Sequence, residues 1–331
     1  MMNKCLNFLL APLKIAKMAY FNTNKFRYWL HKKTGMKFQP KAPKFPPMVI
    51  VETSSYCDLS CLHCPRTDLA KSDDSFEGFM DFDLWKKIVD EVAKYKRTTL
   101  RPFNRGEALI NPDLVRMIRY AKKRGVGNIW LNTNGLLLSP EKSKELLDTG
   151  IDIIELSIDA ASRETFKKIK GKDVYDTVVE NTIACCRQKK ESYPKTKIVV
   201  SFVESSLNAS EKDVFLNFWK DYADYVNVRP VHQAGALLGD LRKSKGKKED
   251  ERLPCSMLWE RLTITYSGDV CYCELDWEIK GKIGNVRDLS IKEIWNSEKY
   301  QQLRKLHIEK KFSEISLCNV CESYYEIMGW R

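Results

Sequence analysis

Three cysteines at the spacing C-x3-C-x2-C carry the clearest chemistry of this 331-residue chain: Cys57, Cys61 and Cys64. Three thiolates in one short loop can hold a cube-shaped [4Fe–4S] cluster, which ordinarily takes four. Three leave one iron open to a substrate or cofactor. A zinc site is the competing reading, since structural zinc takes four closed ligands. His63 could be a fourth ligand, but it is squeezed between Cys61 and Cys64. A second set comprises Cys255, Cys273, Cys318 and Cys321. Cys271 lies two residues before Cys273 and would share its face of a strand, so either could be the ligand. Four cysteines in two pairs also suit a zinc ribbon.

The remaining cysteines read as bland. Cys185 and Cys186 fall in a helical stretch and suit buried packing, and Cys5 stands apart near the start. An odd total of 11 cysteines, mostly in tight clusters, favours metal binding over a disulfide framework. No small-residue cleavage site follows the short apolar N-terminal stretch. Both features lead us to expect a reducing, cytoplasmic setting.

Elements of regular period must position these residues. Short β-rich runs occur at Met48–Glu52, Thr98–Phe103, Asn128–Asn132, Asp152–Ile158, Lys197–Glu204 and Tyr225–Val231. Segments of helical spacing separate them: Asp81–Lys96, Asp113–Arg124, Ser139–Asp148, Thr177–Lys190 and Ser210–Tyr222. The alternation predicts parallel βαβ units in an α/β fold, as an open sheet or partial barrel. In such folds chemistry collects at the carboxyl ends of the strands. The first cysteine loop follows the first strand directly. Residues 235–254, rich in Gly and Lys, read as a linker. Beyond it, Leu262–Glu274 reads as a hairpin turning at Ser267-Gly268-Asp269, and Ser290–His307 as one helix. The division expected is an arm over 1–47, a core domain over 48–234, a linker over 235–254 and a small domain over 255–331.

Three further motifs end strands in order: Phe103-Asn104-Arg105-Gly106-Glu107, Leu131-Asn132-Thr133-Asn134-Gly135 and Glu155-Leu156-Ser157-Ile158-Asp159. With C-x3-C-x2-C after the first strand, this series resembles the radical S-adenosylmethionine (radical SAM) superfamily over residues 48–232. The family motif after the second strand is usually Gly-Gly-Glu, so Arg105 replaces the first glycine. The resemblance implies a partial (β/α)6 TIM-type barrel and S-adenosylmethionine (SAM) as cofactor. It places Gly106 and Glu107 at the SAM ammonium, Ser157 at the ribose or carboxylate, and His63 near adenine. Asn134 and Asp159 join them as cofactor-binding candidates. The pattern Cys255-x12-Gly268-x4-Cys273, with Cys318-x2-Cys321, resembles the auxiliary-cluster domains called SPASM and, in short form, twitch. That pattern selects Cys273. With no cysteine among the ten residues after Cys321, the resemblance is to the single-cluster form. Two [4Fe–4S] clusters are implied.

The chemistry implied is reductive SAM cleavage to a 5′-deoxyadenosyl radical, hydrogen abstraction, and delivery of a second electron to the auxiliary cluster. The net result is a dehydrogenase-like two-electron oxidation. An electron donor of flavodoxin or ferredoxin type is the implied partner. Candidate proton acceptors are Arg229, His232 and Asp276. A small polyol, aminocyclitol or sugar is the favoured substrate, because no added N-terminal peptide-binding domain is recognisable. A peptide or protein side chain is the alternative within this chemistry. A non-catalytic iron–sulfur or zinc protein is the alternative outside it.

Charge excludes another class. The chain carries a net +12, yet residues 1–51 hold ten Lys and Arg and no acid. The rest is nearly neutral, which offers little for phosphate backbones, so no nucleic-acid partner is expected. No uncharged apolar run reaches the ~20 residues of a membrane span. In the arm, Leu6, Leu9, Leu10 and Leu13 fall at i, i+3, i+4, i+7 beside Lys14 and Lys17. That stripe could lie peripherally on the inner face of an anionic membrane or dock on the barrel. Pro40, Pro43, Pro46 and Pro47 close the arm and read as an extended linker.

Overall fold

A computed structural model describes residues 23–72, 76–231 and 252–321. The stripe over residues 6–20, His232 and nearly all of the expected linker lie outside them. Nine strands form one sheet: β1 Met48–Val51, β2 Thr99–Arg101, β3 Asn128–Thr133, β4 Ile153–Ser157, β5 Lys197–Glu204, β6 Tyr225–Pro230, β7 Arg261–Ile264, β8 Asp269–Cys271 and β9 Lys282–Asn285. Their order is β6-β5-β4-β3-β2-β1-β7-β8-β9. The first six are parallel, each beside its predecessor, and form the expected partial barrel.

The helices are α1 Thr23–Thr34, α2 Arg66–Ser72, α3 Phe82–Val92, α4 Leu114–Lys123, α5 Pro140–Leu147, α6 Arg163–Lys170, α7 Tyr175–Ser192, α8 Lys212–Trp219, α9 Met257–Glu260, α10 Ile291–Trp295, α11 Glu298–Ile308 and α12 Ser316–Asn319. Local chemistry sets their starts. Asp81 caps α3 by accepting from the Leu84 N–H, and Ser139 caps α5 with Pro140 at its first position. The stripe Leu84, Trp85, Ile88, Val89 and Val92 buries one face of α3. It packs with Met117 and Ile118 of α4 against Val49, Val51, Leu100, Ile129 and Leu131 of the sheet. Trp85 Nε1 donates to the Met117 carbonyl at 2.8 Å, so even its polar atom is satisfied.

Four expectations change. The C-terminal hairpin is not a separate layer, because β7 pairs in parallel with β1, from Met48↔Arg261 to Val51↔Ile264. A third strand, β9, completes an antiparallel set with β8. The single helix expected over Ser290–His307 is two. Ser290 forms a capping box with Glu293, and Ser297 starts α11 by accepting from the Tyr300 N–H. The proline segment is a packed strap rather than a linker. Proline lacks an N–H, so the strap offers carbonyls instead. Trp295 Nε1 donates to Pro43, Thr98 Oγ1 to Pro46 and the Thr99 N–H to Pro47, at 2.8, 3.0 and 2.8 Å. Phe38 and Phe45 are buried, and Phe45 stacks on Tyr95 with centroids 3.8 Å apart. Among the described residues, no helix is long and apolar enough to cross a membrane.

A packed strap has a measurable consequence. Phe45→Ala should lower unfolding free energy by about 3 kcal/mol in chemical denaturation. A free linker would lose almost nothing.

Candidate active site

Side chains alternate across a strand. Here the outward positions Val49, Leu100, Ile129, Leu131, Ile154 and Leu156 join the helix-covered core. The alternate positions Arg101, Asn132, Glu155, Ser157 and Arg229 therefore face inward. At the carboxyl end of the parallel strands Arg101, Asn132, Ser157 and Arg229 meet a cavity of ≈ 220 Å³. Its lining includes Cys57, Cys61, Cys64, His63, Gly106, Glu107, Asn134, Ser157 and Arg229 from the sequence candidates. It also includes Arg101, Asn132, Lys170, Glu274, Leu275 and Trp277, which those motifs did not mark for a role.

The cysteine loop is held from three sides. Ser60 and Leu62 donate their N–H groups to the Lys170 and Ile169 carbonyls, at 3.2 and 2.8 Å. Those are end carbonyls of α6, which the helix itself cannot satisfy. Gly171 closes that helix at φ 73, and a Cβ there would lie 2.6 Å from the Ser60 carbonyl oxygen. From a second side, Glu107 N–H donates to the Tyr56 carbonyl at 2.7 Å. Gly106 passes so close that a Cβ would sit 2.4 Å from the Ser54 carbonyl oxygen. From a third, Asn134 Nδ2 donates to Asp58 Oδ1 at 2.7 Å. Asn134 therefore anchors the loop as well as lining the cavity. Burial pushes the Cys57 thiol up to about 12, and Cys61 and Cys64 up to about 11. Such thiols ionise only against a strong cationic partner, which an iron–sulfur cluster supplies.

Glu107 is fully buried. It accepts from Leu109 N–H, Thr133 Oγ1 and Asn134 N–H at 3.0, 2.8 and 2.7 Å. Burial nevertheless pushes its carboxyl up to about 7. No cationic side chain among the described residues pairs with it, so a ligand ammonium fits there. Ser157 Oγ donates to Asp159 Oδ2 at 2.9 Å, and Lys170 Nζ donates to the same oxygen at 2.6 Å. Asp159 itself does not line the cavity. It adopts φ 66, and its other carboxylate oxygen accepts from the Val203 N–H at 2.8 Å. Burial pushes Asp159 up, but Lys170, then His63 and the hydrogen bonds, outweigh it and hold the carboxyl below its usual range. Its position makes it the hub that orients Ser157 and Lys170, not the cofactor contact expected from sequence. Lys170 had a signal: Phe166, Ile169 and Lys170 form the buried stripe of α6, and a lysine in an apolar stripe calls for a partner.

The second cysteine set shares one buried neighbourhood. Burial, then the thiols of Cys255, Cys321 and Cys318, push Cys273 well up. For Cys271 the charged neighbours after burial are Asp276, Arg105 and Glu52, so it stands with a different group, and Cys273 is the ligand candidate. His307 is buried beside the set. Its Nδ1 accepts from the Cys255 N–H at 3.2 Å, which leaves the Nε2 side, 3.4 Å from Cys318 Sγ, to carry the proton. Asp276 lies outside the cavity. It accepts from the Lys280 and Gly281 N–H groups at 3.0 and 2.7 Å and closes a turn. That corrects its expected place as a proton acceptor. Arg229 does line the cavity, but a guanidinium only donates and cannot take a proton.

Arg105, where the motif departs from Gly-Gly-Glu, joins both halves. Its Nε and Nη2 donate to Glu52 Oε2 and Oε1 at 2.6 and 2.7 Å, and Nη1 donates to the Trp277 carbonyl at 3.1 Å.

Residues 51–202 match the radical SAM superfamily, and residues 255–322 match SPASM, an iron–sulfur cluster-binding domain. The chain belongs to the radical SAM superfamily. Within it, the chain is a radical SAM enzyme with a SPASM domain. A Pyrococcus furiosus tungsten-containing aldehyde ferredoxin oxidoreductase cofactor-modifying protein is 25% identical over 317 residues, spanning 82% of this chain and 88% of its own. BtrN in complex with AdoMet and 2-DOIA superposes with a TM-score of 0.60 at 18% identity, over 84% of this chain and 93% of that one. Streptococcus suis SuiB bound to precursor peptide SuiA gives 0.57 at 14% identity, over 90% and 74%. At these identities the two structures share the fold.

Glu107 sets a pH test. Its contribution to stability is full below 4.5 and is lost as pH rises through about 7. Denaturation of the ligand-free protein should show Glu107→Gln gaining on the parent by roughly 3 kcal/mol across that window. A constant difference would contradict the buried, unpaired carboxyl.

Proposed function

We propose that the chain oxidises a small polyhydroxylated substrate by two electrons, using SAM and two [4Fe–4S] clusters. One observation carries this reading. The cavity is lined at once by the first cysteine loop and by Glu274, Leu275 and Trp277, which follow Cys273 directly. A substrate held there lies between the two cysteine sets. When bound, the clusters and SAM supply a 5′-deoxyadenosyl radical and a sink for the second electron.

The chain's own residues do the rest. Cys57, Cys61 and Cys64 would hold the first cluster; Cys255, Cys273, Cys318 and Cys321 would hold the second. Glu107 would receive the SAM ammonium, while Ser157 and Lys170 face its remaining polar groups, with His63 on the same wall. Glu274 lines the cavity beside Arg261, 2.5 Å away, so it replaces Asp276 as the candidate proton acceptor. The polar side chains of the inner wall, Arg101, Asn132 and Arg229, support a small polar molecule. Oxidation of a peptide side chain is the second reading, motivated by the likeness to SuiB, crystallised with its precursor peptide.

Two results test the proposal. Anaerobic reconstitution should load about eight iron per chain, and about four after joint replacement of Cys57, Cys61 and Cys64 by alanine. Tightly bound zinc that resists iron loading would defeat it. Mass spectrometry of SAM products should show no 5′-deoxyadenosine from Cys61→Ala. Cys318→Ala should retain some cleavage while losing oxidised product, and equal loss of cleavage in both folded variants would contradict the division of labour.

A further inference from the structure

The inner wall of the barrel is polar where a packed barrel would be apolar. Arg101 on β2 points into the cavity, its guanidinium carbon 4.9 Å from the Trp130 ring centre. Its Nη2 donates to Asn132 Oδ1 at 2.5 Å. Its Nε is buried without a hydrogen-bond partner. Trp277, in the same lining, has an Nε1 likewise buried and unpartnered, as is Glu155 Oε1. Glu155 spends its other oxygen on the Trp130 Nε1–H at 3.0 Å. Arg229 brings a second guanidinium to the same cavity from β6.

Unpartnered buried polar groups cost free energy, and a charged one costs more. Arg105, the neighbouring guanidinium of the same lining, has both oxygens of Glu52 as partners. Arg101 has no carboxylate within salt-bridge distance among the described residues. Two guanidiniums and an indole N–H, all donors, thus border one space; of the carboxylates that line it, Glu274 is paired with Arg261, 2.5 Å away, and Glu107 accepts from Leu109 N–H, Thr133 Oγ1 and Asn134 N–H. A neutral hydroxyl would leave most of these donors unmet. An oxyanion would meet them with charge-assisted bonds.

We propose that this wall is a substrate subsite for an oxyanion, a carboxylate or phosphate ester, borne by the polyhydroxylated molecule. This rests on the proposed function and narrows its substrate class.

The probes are glucose 6-phosphate, glucuronate and glucose, titrated calorimetrically into anaerobically reconstituted full-length protein with SAM. At least one charged hexose should bind about tenfold or more tightly than glucose. The two charged probes separate phosphate from carboxylate. Arg101→Met should reduce the preference to near unity, and Arg101→Lys should restore part of it. Arg229→Gln, on the exposed edge strand, should weaken it independently and serves if Arg101→Met does not fold. Neither charged hexose binding more tightly than glucose would overturn the subsite, as would a preference unchanged in the folded Arg101 or Arg229 variants. Formation of 5′-deoxyadenosine by the unsubstituted protein reports on the proposed function separately. Its absence with the preference intact defeats only that function; its presence without the preference defeats only the subsite.

Discussion

The buried pair of Arg105 and Glu52 fixes the geometry on which both halves of the site depend. Glu52 follows the first strand directly and leads into the cysteine loop. Arg105 precedes Gly106 and Glu107, and its third contact is the Trp277 carbonyl beyond Cys273. A guanidinium and a carboxylate removed from water are tolerated only with close geometry and every remaining hydrogen bond met. Here the Tyr266 N–H also donates to Glu52, at 3.3 Å. Breaking the pair would strand a charge, so the three segments stay in one arrangement. A glycine, the usual residue at position 105 in the family, could make none of these contacts.

Around that anchor the parity of the strands divides labour. Outward side chains are aliphatic and buy burial against the helices; inward ones are arginine, asparagine, glutamate and serine. The last turn of α6 serves both purposes. Its carbonyls hold the cysteine loop, and Lys170 reaches the Ser157–Asp159 pair. One helix end therefore positions both the first cysteine loop and the Ser157 side of the cavity.

The six parallel strands were legible because each is a short β-rich run between helices of regular period, and β5 was placed to the residue. The place of the first cysteine loop, after β1 and on the cavity, was legible because its spacing is local. What escaped depended on distant partners. Nothing around Arg261–Ile264 says that it pairs with β1 rather than standing apart, since register with a remote strand leaves no local mark. Helix α6, in Arg-Glu-Thr-Phe-Lys-Lys-Ile-Lys, offers only two apolar residues. The break between α10 and α11 did carry a sign, in Ser297 as a second cap. Asp159 matched a motif, but only its hydrogen bonds show that it orients other residues instead of lining the cavity.

The pairing of β1 with β7 also bears on how the chain is made. Residues 48–51 emerge early from a ribosome, whereas the strand that covers their edge comes near the end; Glu52 and Tyr266, bonded in the finished sheet, are 214 positions apart. Until then β1 presents an open row of N–H and C=O groups in an apolar segment, the kind of edge that recruits other chains. Closing so long a loop is slow. Biogenesis of this protein is therefore a race between sheet closure and aggregation.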